Sequence, residues 1–320
     1  MPSALRLGDF PRVNIVYSTE QLMQIINADF PALKVEKLTL IGGGWSNYAY
    51  RANDDLLFKF PKNRAASSSI RKEVALLGIL HQRLQIVPQA EFVGRLSDGR
   101  EDFDYFGYRM LPGVFLSNFY SDALDRPARA AALEQVARFT AALRQLPVEQ
   151  AEACGVEALD FKEVCAADLS AVRGELAAVL PADEHSWLAD SFVVYLSDEE
   201  NFEYAPSMLH GDLRPDHILF DATRRRLTRV IDFGGAIIGD PDYDLMYLLD
   251  EYGASFVHAF MEYHPNPNPP GLIRKLKFFL DWEMVHLLLH GVRNGKEGEI
   301  NTARKFLRRS FQARLAEGQA

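Results

Sequence analysis

Two carboxylates and an imidazole define the chemistry this chain could perform. In the run His210-Gly211-Asp212-Leu213-Arg214-Pro215-Asp216-His217-Ile218-Leu219, an aspartate stands two residues after a histidine and a second histidine five residues after the aspartate. Asp232 then ends the short apolar run Val230-Ile231 and is followed by Phe233-Gly234. A carboxylate emerging at a strand end can hold a magnesium ion against phosphate oxygens. A second, behind a glycine that frees the backbone, can orient a hydroxyl and accept its proton. Such a set suits phosphoryl transfer, which needs positioning and positive charge more than covalent help.

The remaining parts of such a site lie upstream, in order. Gly42-Gly43-Gly44-Trp45-Ser46-Asn47 falls between two strand-like runs, where bare backbone could fold over phosphates. It is not a Walker A loop, because no Gly-Lys-Ser/Thr follows; glycine-rich hairpins without a ligand are common. Lys59 sits inside the apolar strand Leu56–Phe60, ended by Pro61. A lysine there is costly unless it snorkels or is paired. Glu73, on the next helix, is the expected partner, leaving the ammonium for the α and β phosphates; an edge-strand lysine facing water is the alternative. Lys62, in a turn, and Lys72, off the apolar stripe, suit that role less. Arg214 could stabilise charge on the γ-phosphoryl group, or merely bridge local acids.

These residues need a scaffold. Ser18-Thr19-Glu20-Gln21 reads as a capping box, with Leu22, Ile25 and Ile26 on one face of the helix it starts. Strand-like runs follow, with turns at the glycines and at Asn53-Asp54-Asp55. A helix is expected over Ser67–Leu84, then a strand pair, Phe92–Leu96 and Tyr105–Leu111, around Ser97-Asp98-Gly99. Alanine-rich helical sequence covers Arg126–Leu146 and Phe161–Leu180. Strands at His217–Phe220 and Leu227–Ile231 flank a turn over Asp221–Arg226. Helical periodicity runs from Tyr243 to Tyr263 and, after the turn His264–Gly271, from Leu272 to the C-terminus. The organisation is a sheet-rich first domain, 1–111, and a helical second domain, 112–320.

Composition bounds the rest. The chain has 320 residues, 48% hydrophobic and 25% charged, an ordinary globular balance. No apolar run reaches membrane-spanning length, no secretory signal is visible, and the two cysteines, Cys154 and Cys165, form no knuckle pattern. A cytoplasmic protein is expected. The net charge of −9, from 44 acids and 35 bases, argues against nucleic acid as a partner. Ser197–Glu262 carries fourteen acids against five arginines and no lysine. That excess could attract a cation or could simply be a solvated surface.

The spacing His210-x-Asp212-x-x-x-x-His217 with Asp232-Phe233-Gly234 is that of a kinase catalytic loop and metal-binding triplet, with His217 in the usual asparagine position. Together with GGGWSNYAYR, LLFKFPKN, YFGYRMLPG, HGDLRPDHILFD and VIDFGGAIIGDPDYDLMYLLDEYG, spanning Gly42 to about Tyr263, it resembles the aminoglycoside phosphotransferase family. The histidine makes it most similar to the 2″-O-phosphotransferase branch. The resemblance implies an α+β, bilobal, protein-kinase-like fold, with a five-stranded antiparallel sheet in the N-lobe and a mostly helical C-lobe. It implies transfer of the γ-phosphoryl group of ATP or GTP, with Mg2+, to a hydroxyl of an aminoglycoside. Asp212 would be the catalytic aspartate, assisted by Arg214, and His217 and Asp232 the metal ligands. The nucleotide would be held by Gly42, Gly43, Gly44, Ser46 and Asn47, by Lys59 with Glu73, and by a hinge from Arg109 through Met110 and Leu111 to Pro112. The acidic region and the late helices near Asp281 and Glu283 would line a pocket for a polycationic sugar. A monomer without nucleic-acid or membrane partners is expected.

Gly235 stands where close relatives often place an aspartate, and the Ala-Pro-Glu element of protein kinases is missing, which disfavours a protein substrate. Family members with this motif set phosphorylate macrolides, choline, homoserine and fructosamines, so another small alcohol is the alternative substrate. A non-catalytic kinase-like module is the alternative from a different class.

Overall fold

A computed structural model describes residues 17–43, 46–97, 101–110, 113–118, 125–266 and 268–318. Its first stretch contains α1 (Thr19–Asp29), β1 (Leu38–Gly43), β2 (Asn47–Ala52), β3 (Leu56–Pro61), α2 (Arg64–Arg83), β4 (Phe92–Ser97) and β5 (Asp102–Arg109). Next come β6 (Val114–Phe115), α3 (Arg126–Arg144), α4 (Val148–Ala153), β7 (Glu157–Ala158), α5 (Phe161–Glu175), α6 (Ala182–Ser197) and β8 (Ser207–Leu209). The last stretch holds β9 (Ile218–Asp221), β10 (Arg226–Val230), β11 (Ile237–Gly239), α7 (Met246–Phe260), α8 (Pro269–Arg293) and α9 (Glu297–Ala316).

The chain divides into two compact units, each built from separated segments. The first takes in the described residues up to Val156 together with His210–Ala236; the second takes in Glu157–Leu209 and the chain from Ile237 on.

In the first unit the five-stranded sheet has the order β1-β2-β3-β5-β4, antiparallel throughout. Side chains of β3 alternate between faces, as any strand must. Phe58 and Phe60 join Tyr50, Tyr105 and the α1 residues Leu22 and Ile26 in one core. Lys59 consequently points the other way, where α2 packs on β3 and β5. Ser18 caps α1 as the sequence predicts, accepting from the Gln21 amide while Gln21 Oε1 accepts from the Ser18 amide. The second helix starts three residues before its expected beginning, because the Asn63 side chain accepts from the Ala66 amide and caps it there. Its buried face includes Ile70, Leu76, Leu77 and Leu80, with Glu73 among them. A smaller sheet, β10-β9-β6, carries the hairpin expected around Asp221–Arg226.

The second unit is mainly helical, with a three-stranded sheet β7-β11-β8. Its core is aromatic: Tyr195 stacks on Phe278 at 4.1 Å between centroids, and Trp282 meets Phe161 edge-on at 5.7 Å. Three sequence expectations change here. The helix from Tyr243 opens as a short 3-10 turn, and α7 is kinked at Gly253, whose φ of 77 no helix accommodates. The run from Leu272 to the C-terminus is two helices, broken where Gly295 turns left-handed with φ 62. α8 begins inside the expected turn, at Pro269, because Pro tolerates a first helical turn and Asn268 caps it. Among the described residues no helix is long and apolar enough to cross a membrane.

Candidate active site

The first unit brings together the charged residues singled out by sequence. Lys59 Nζ donates to Glu73 Oε1 at 2.8 Å and to Asp232 Oδ1 at 3.0 Å, with Lys59 and Glu73 both buried. Burial works against the Lys59 charge, but Asp232 and Glu73 more than offset it and hold the ammonium protonated. Burial pushes the Glu73 carboxyl up, and the neighbouring Lys59 charge and the Phe233 amide counter that push. Asp232 is less enclosed: partial burial works against its charge, yet Lys59 keeps its carboxyl well below the usual carboxylate range. Its side chain remains 42% exposed, so the anion is paired on one oxygen and accessible.

The hairpin of β9 and β10 sets His217 beside Asp232: the Ile231 amide donates to the His217 carbonyl at 2.9 Å. A main-chain carbonyl can only accept, so the 2.8 Å contact between His217 Nδ1 and the Asp212 carbonyl makes Nδ1 the donor. The neutral ring then presents the lone pair of Nε2, which lies 3.8 Å from Asp232 Oδ2. Burial lowers the His217 pKa to about 4 against the pull of Asp232, so the imidazole is neutral at pH 7. His210 does similar work one layer down. Its Nε2 donates to the Ile231 carbonyl at 2.9 Å while Nδ1 accepts from the Asp212 amide at 3.3 Å. Buried against Phe233 at 4.6 Å between ring centroids, it is held neutral, its pKa lowered to about 3 by burial and then by His217. This second histidine ties the loop of Asp212 to the segment that leads from β10 into Asp232; sequence spacing had marked it only as the start of the motif.

Gly211 has φ +75, and a Cβ there would overlap the Gly235 carbonyl oxygen. Only glycine lets the two loops approach this closely. Asp212 itself is 2% exposed, and its carbonyl also accepts from the Arg214 amide at 2.8 Å. Arg214 lies half-buried beside Asp216, with Nε 3.6 Å from Oδ1.

The expected nucleotide contacts are partly placed. Gly42 and Gly43 end β1 opposite Ala49 and Tyr48, past a bulge after Leu40; Gly44 lies outside the described residues. The Ser46 carbonyl accepts from the Lys62 amide at 2.8 Å, and Asn47 pairs with Pro61 across the sheet. Lys62 places its ammonium over the Tyr48 ring at 4.6 Å. At the hinge, the Arg109 guanidinium reaches Asp55 and Glu91, and the Met110 amide donates to the Asp55 carbonyl at 2.7 Å. Leu111 and Pro112 lie outside the described residues.

A magnesium ion fits the donor set. Asp232 offers an ionised, accessible carboxylate and His217 a bare imidazole nitrogen, while no group of three or more such side chains converges among the described residues. Magnesium sites of this sort take one or two protein ligands and complete themselves with phosphate and water.

In the second unit, Asp281 and Glu283 do not line a pocket. Asp281 is fully buried and ion-paired with Arg314. Glu283, 1% exposed, accepts from the hydroxyls of Tyr243 and Tyr247. Sequence displays a charge but not the partner that turns it inward. Asp240 and Asp242 are likewise engaged by Lys275, at 2.6 and 3.1 Å. Exposed acids remain at Glu200, Glu203, Glu251 and Glu262.

The chain is similar to known proteins over most of its length. The model of the phosphotransferase enzyme family matches residues 37–272. The GDP complex of wild-type aminoglycoside 2′-phosphotransferase-IIIa is 30% identical over 93% of this chain and 99% of that one, with a TM-score of 0.88. The GDP and kanamycin complex of APH(2″)-IIIa is 31% identical over 90% and 97%, with a TM-score of 0.85. A macrolide 2′-phosphotransferase type I, 20% identical over 92% and 98% with a TM-score of 0.69, shares the fold.

Proposed function

The chain belongs to the phosphotransferase enzyme family, and we propose that it transfers the γ-phosphoryl group of ATP or GTP to a hydroxyl of an aminoglycoside, with Mg2+ as cofactor. The observation that carries this reading is the bonded set Glu73–Lys59–Asp232 with the bare His217 Nε2 beside it and Asp212 on the adjoining loop. Five charged or titratable side chains held in this order match the needs of phosphoryl transfer and serve no evident purpose in a non-catalytic scaffold.

Asp232 and His217 would hold the metal, which when bound neutralises phosphate charge. Lys59, kept protonated and aimed by Glu73, would anchor the nucleotide phosphates. Asp212 would orient the substrate hydroxyl and take its proton as the hydroxyl oxygen bonds to phosphorus. The bond from phosphorus to the β–γ bridging oxygen breaks as the new one forms, and nucleoside diphosphate leaves. Arg214 would steady charge on the migrating group, after leaving Asp216. Gly42, Gly43, Gly44, Ser46 and Asn47 would cover the phosphates. The base would be read by backbone groups of the Arg109–Pro112 hinge other than the Met110 amide, which Asp55 already occupies.

The resemblance at 30–31% identity to aminoglycoside phosphotransferases supports an aminoglycoside over another alcohol, and the net charge of −9 favours a cationic sugar. Asp281 and Glu283 contribute only to that general field. The test is a substrate panel: purified protein, Mg2+, ATP or GTP, and aminoglycosides beside a macrolide, choline and homoserine. Nucleoside diphosphate release stimulated by aminoglycosides is expected. Release with the other alcohols alone would remove the aminoglycoside assignment.

A further inference from the structure

One face of α2 grips the backbone that follows Asp232. Ser69 Oγ donates to the Gly234 carbonyl at 3.1 Å, Lys72 Nζ donates to the Ala236 carbonyl at 3.0 Å, and Glu73 Oε1 accepts from the Phe233 amide at 3.2 Å. Residues 69, 72 and 73 have the spacing that puts side chains on one side of a helix. A single rigid surface therefore clasps residues 233–236. The same Glu73 oxygen receives Lys59, and Lys59 holds Asp232 Oδ1, so the path from helix to carboxylate closes into a ring. Within that ring Asp232 has φ 69 and ψ 60, a left-handed conformation that a non-glycine residue keeps only where its surroundings over-determine it.

We propose that Ser69 and Lys72 are positioning residues, which fix the 233–236 backbone against α2 and thereby set the direction of the Asp232 carboxylate. The inference rests on the phosphotransferase reading, in which Asp232 is a metal ligand. Neither side chain touches the reacting atoms. Glu73 alone would leave a single hinge-like bond to the Phe233 amide; the two flanking bonds remove rotation about it. The ammonium of Lys72 is the stronger of the two, being a charged donor. With both in place, the helix bearing Glu73 and the segment bearing Asp232 move as one body, so the lysine anchor and the metal ligand keep a constant separation.

The test uses the whole chain as wild type, Lys72→Met, Lys72→Arg and Ser69→Ala. Three readouts are taken: backbone hydrogen exchange over 232–237, Mn2+ binding in the presence of ADP by electron paramagnetic resonance, and kcat separately from nucleotide KM. Lys72→Met is expected to speed exchange over 233–236 and to weaken Mn2+ binding, each roughly tenfold, and to lower kcat more than it raises nucleotide KM. Lys72→Arg, which keeps a cationic donor, should recover most of the loss, and Ser69→Ala should move all three readouts the same way but less. Unchanged exchange and Mn2+ affinity in both Lys72→Met and Ser69→Ala would overturn the proposal, as would a Lys72→Arg variant as impaired as Lys72→Met. If Lys72→Met folds poorly, Ser69→Ala, lacking only a hydroxyl, decides. A wild-type protein without phosphoryl transfer would remove the broader reading, while exchange and Mn2+ binding would still judge the clasp.

Discussion

His217 donates from Nδ1 to the main-chain carbonyl of Asp212 at 2.8 Å, so Asp212 itself fixes which nitrogen of the imidazole faces Asp232. In the proposed function, that one bond couples the hydroxyl side of the site to the metal side. Asparagine at this position would supply an oxygen, which magnesium favours over nitrogen. His217→Asn should therefore keep Mg2+-dependent turnover to within about tenfold of wild type, whereas His217→Leu should lose about a hundredfold or more. Steady-state rates across a Mg2+ titration check this; equal losses in the two variants would deny His217 a ligand role.

Asp212→Asn keeps the shape of the loop and removes the proposed proton acceptor. Turnover should fall by about 10² to 10⁴ while nucleotide affinity, measured by calorimetry, stays within about threefold. An unaffected kcat would take Asp212 out of the mechanism.

Gly211→Ala forces a Cβ into a left-handed position and against the Gly235 carbonyl. The backbone term alone costs about 1–2 kcal/mol, and the overlap with a fixed carbonyl adds to it. Urea unfolding should show a loss of roughly 3 kcal/mol or more, accompanied by loss of turnover. A normal midpoint with normal activity would mean that the two loops do not meet as described.

Stability should depend on pH through His286. Burial alone would lower its pKa, but Asp168, 2.7 Å from Nε2, and Glu283 push it up to about 9. A histidine raised above its unfolded value of about 6.5 contributes fully below that pH. The contribution then fades as pH rises through 9, by on the order of 3 kcal/mol in all. Urea midpoints should drop between pH 6.5 and 9 in wild type, and His286→Gln should flatten that drop. Equal pH slopes in the two proteins would show that His286 does not carry the charge.

What the sequence disclosed, and what it hid, follow from the range of the interactions. His210, Asp212 and His217 lie within eight residues, and the hairpin to Asp232 is short, so spacing alone foretold their meeting. Lys59 was legible because an ammonium inside an apolar strand demands a partner, and Glu73 was the acid on the next helix. Ser69 went unremarked and Lys72 was set aside for the opposite reason: their partners are main-chain carbonyls 165 and 164 residues away, and a carbonyl has no signature in the sequence. Asp281 and Glu283 misled because their exposure depends on Arg314, Tyr243 and Tyr247, contacts no local pattern reveals. The α8–α9 break was hidden because one glycine in a long helical period costs too little to read as a stop.

The compact unit that holds Lys59, Glu73 and Asp212 is interrupted, since residues 157–209 belong elsewhere. A ribosome emitting this chain from its N-terminal end delivers the sheet, Lys59 and Glu73 well before His210–Ala236 exists. Until then the lysine lacks the second of its two carboxylates, and the β9–β10 hairpin has yet to be made. Completion of the site is thus a late event in biosynthesis, and a chain stalled between Val156 and His210 lacks Asp212, His217 and Asp232 altogether.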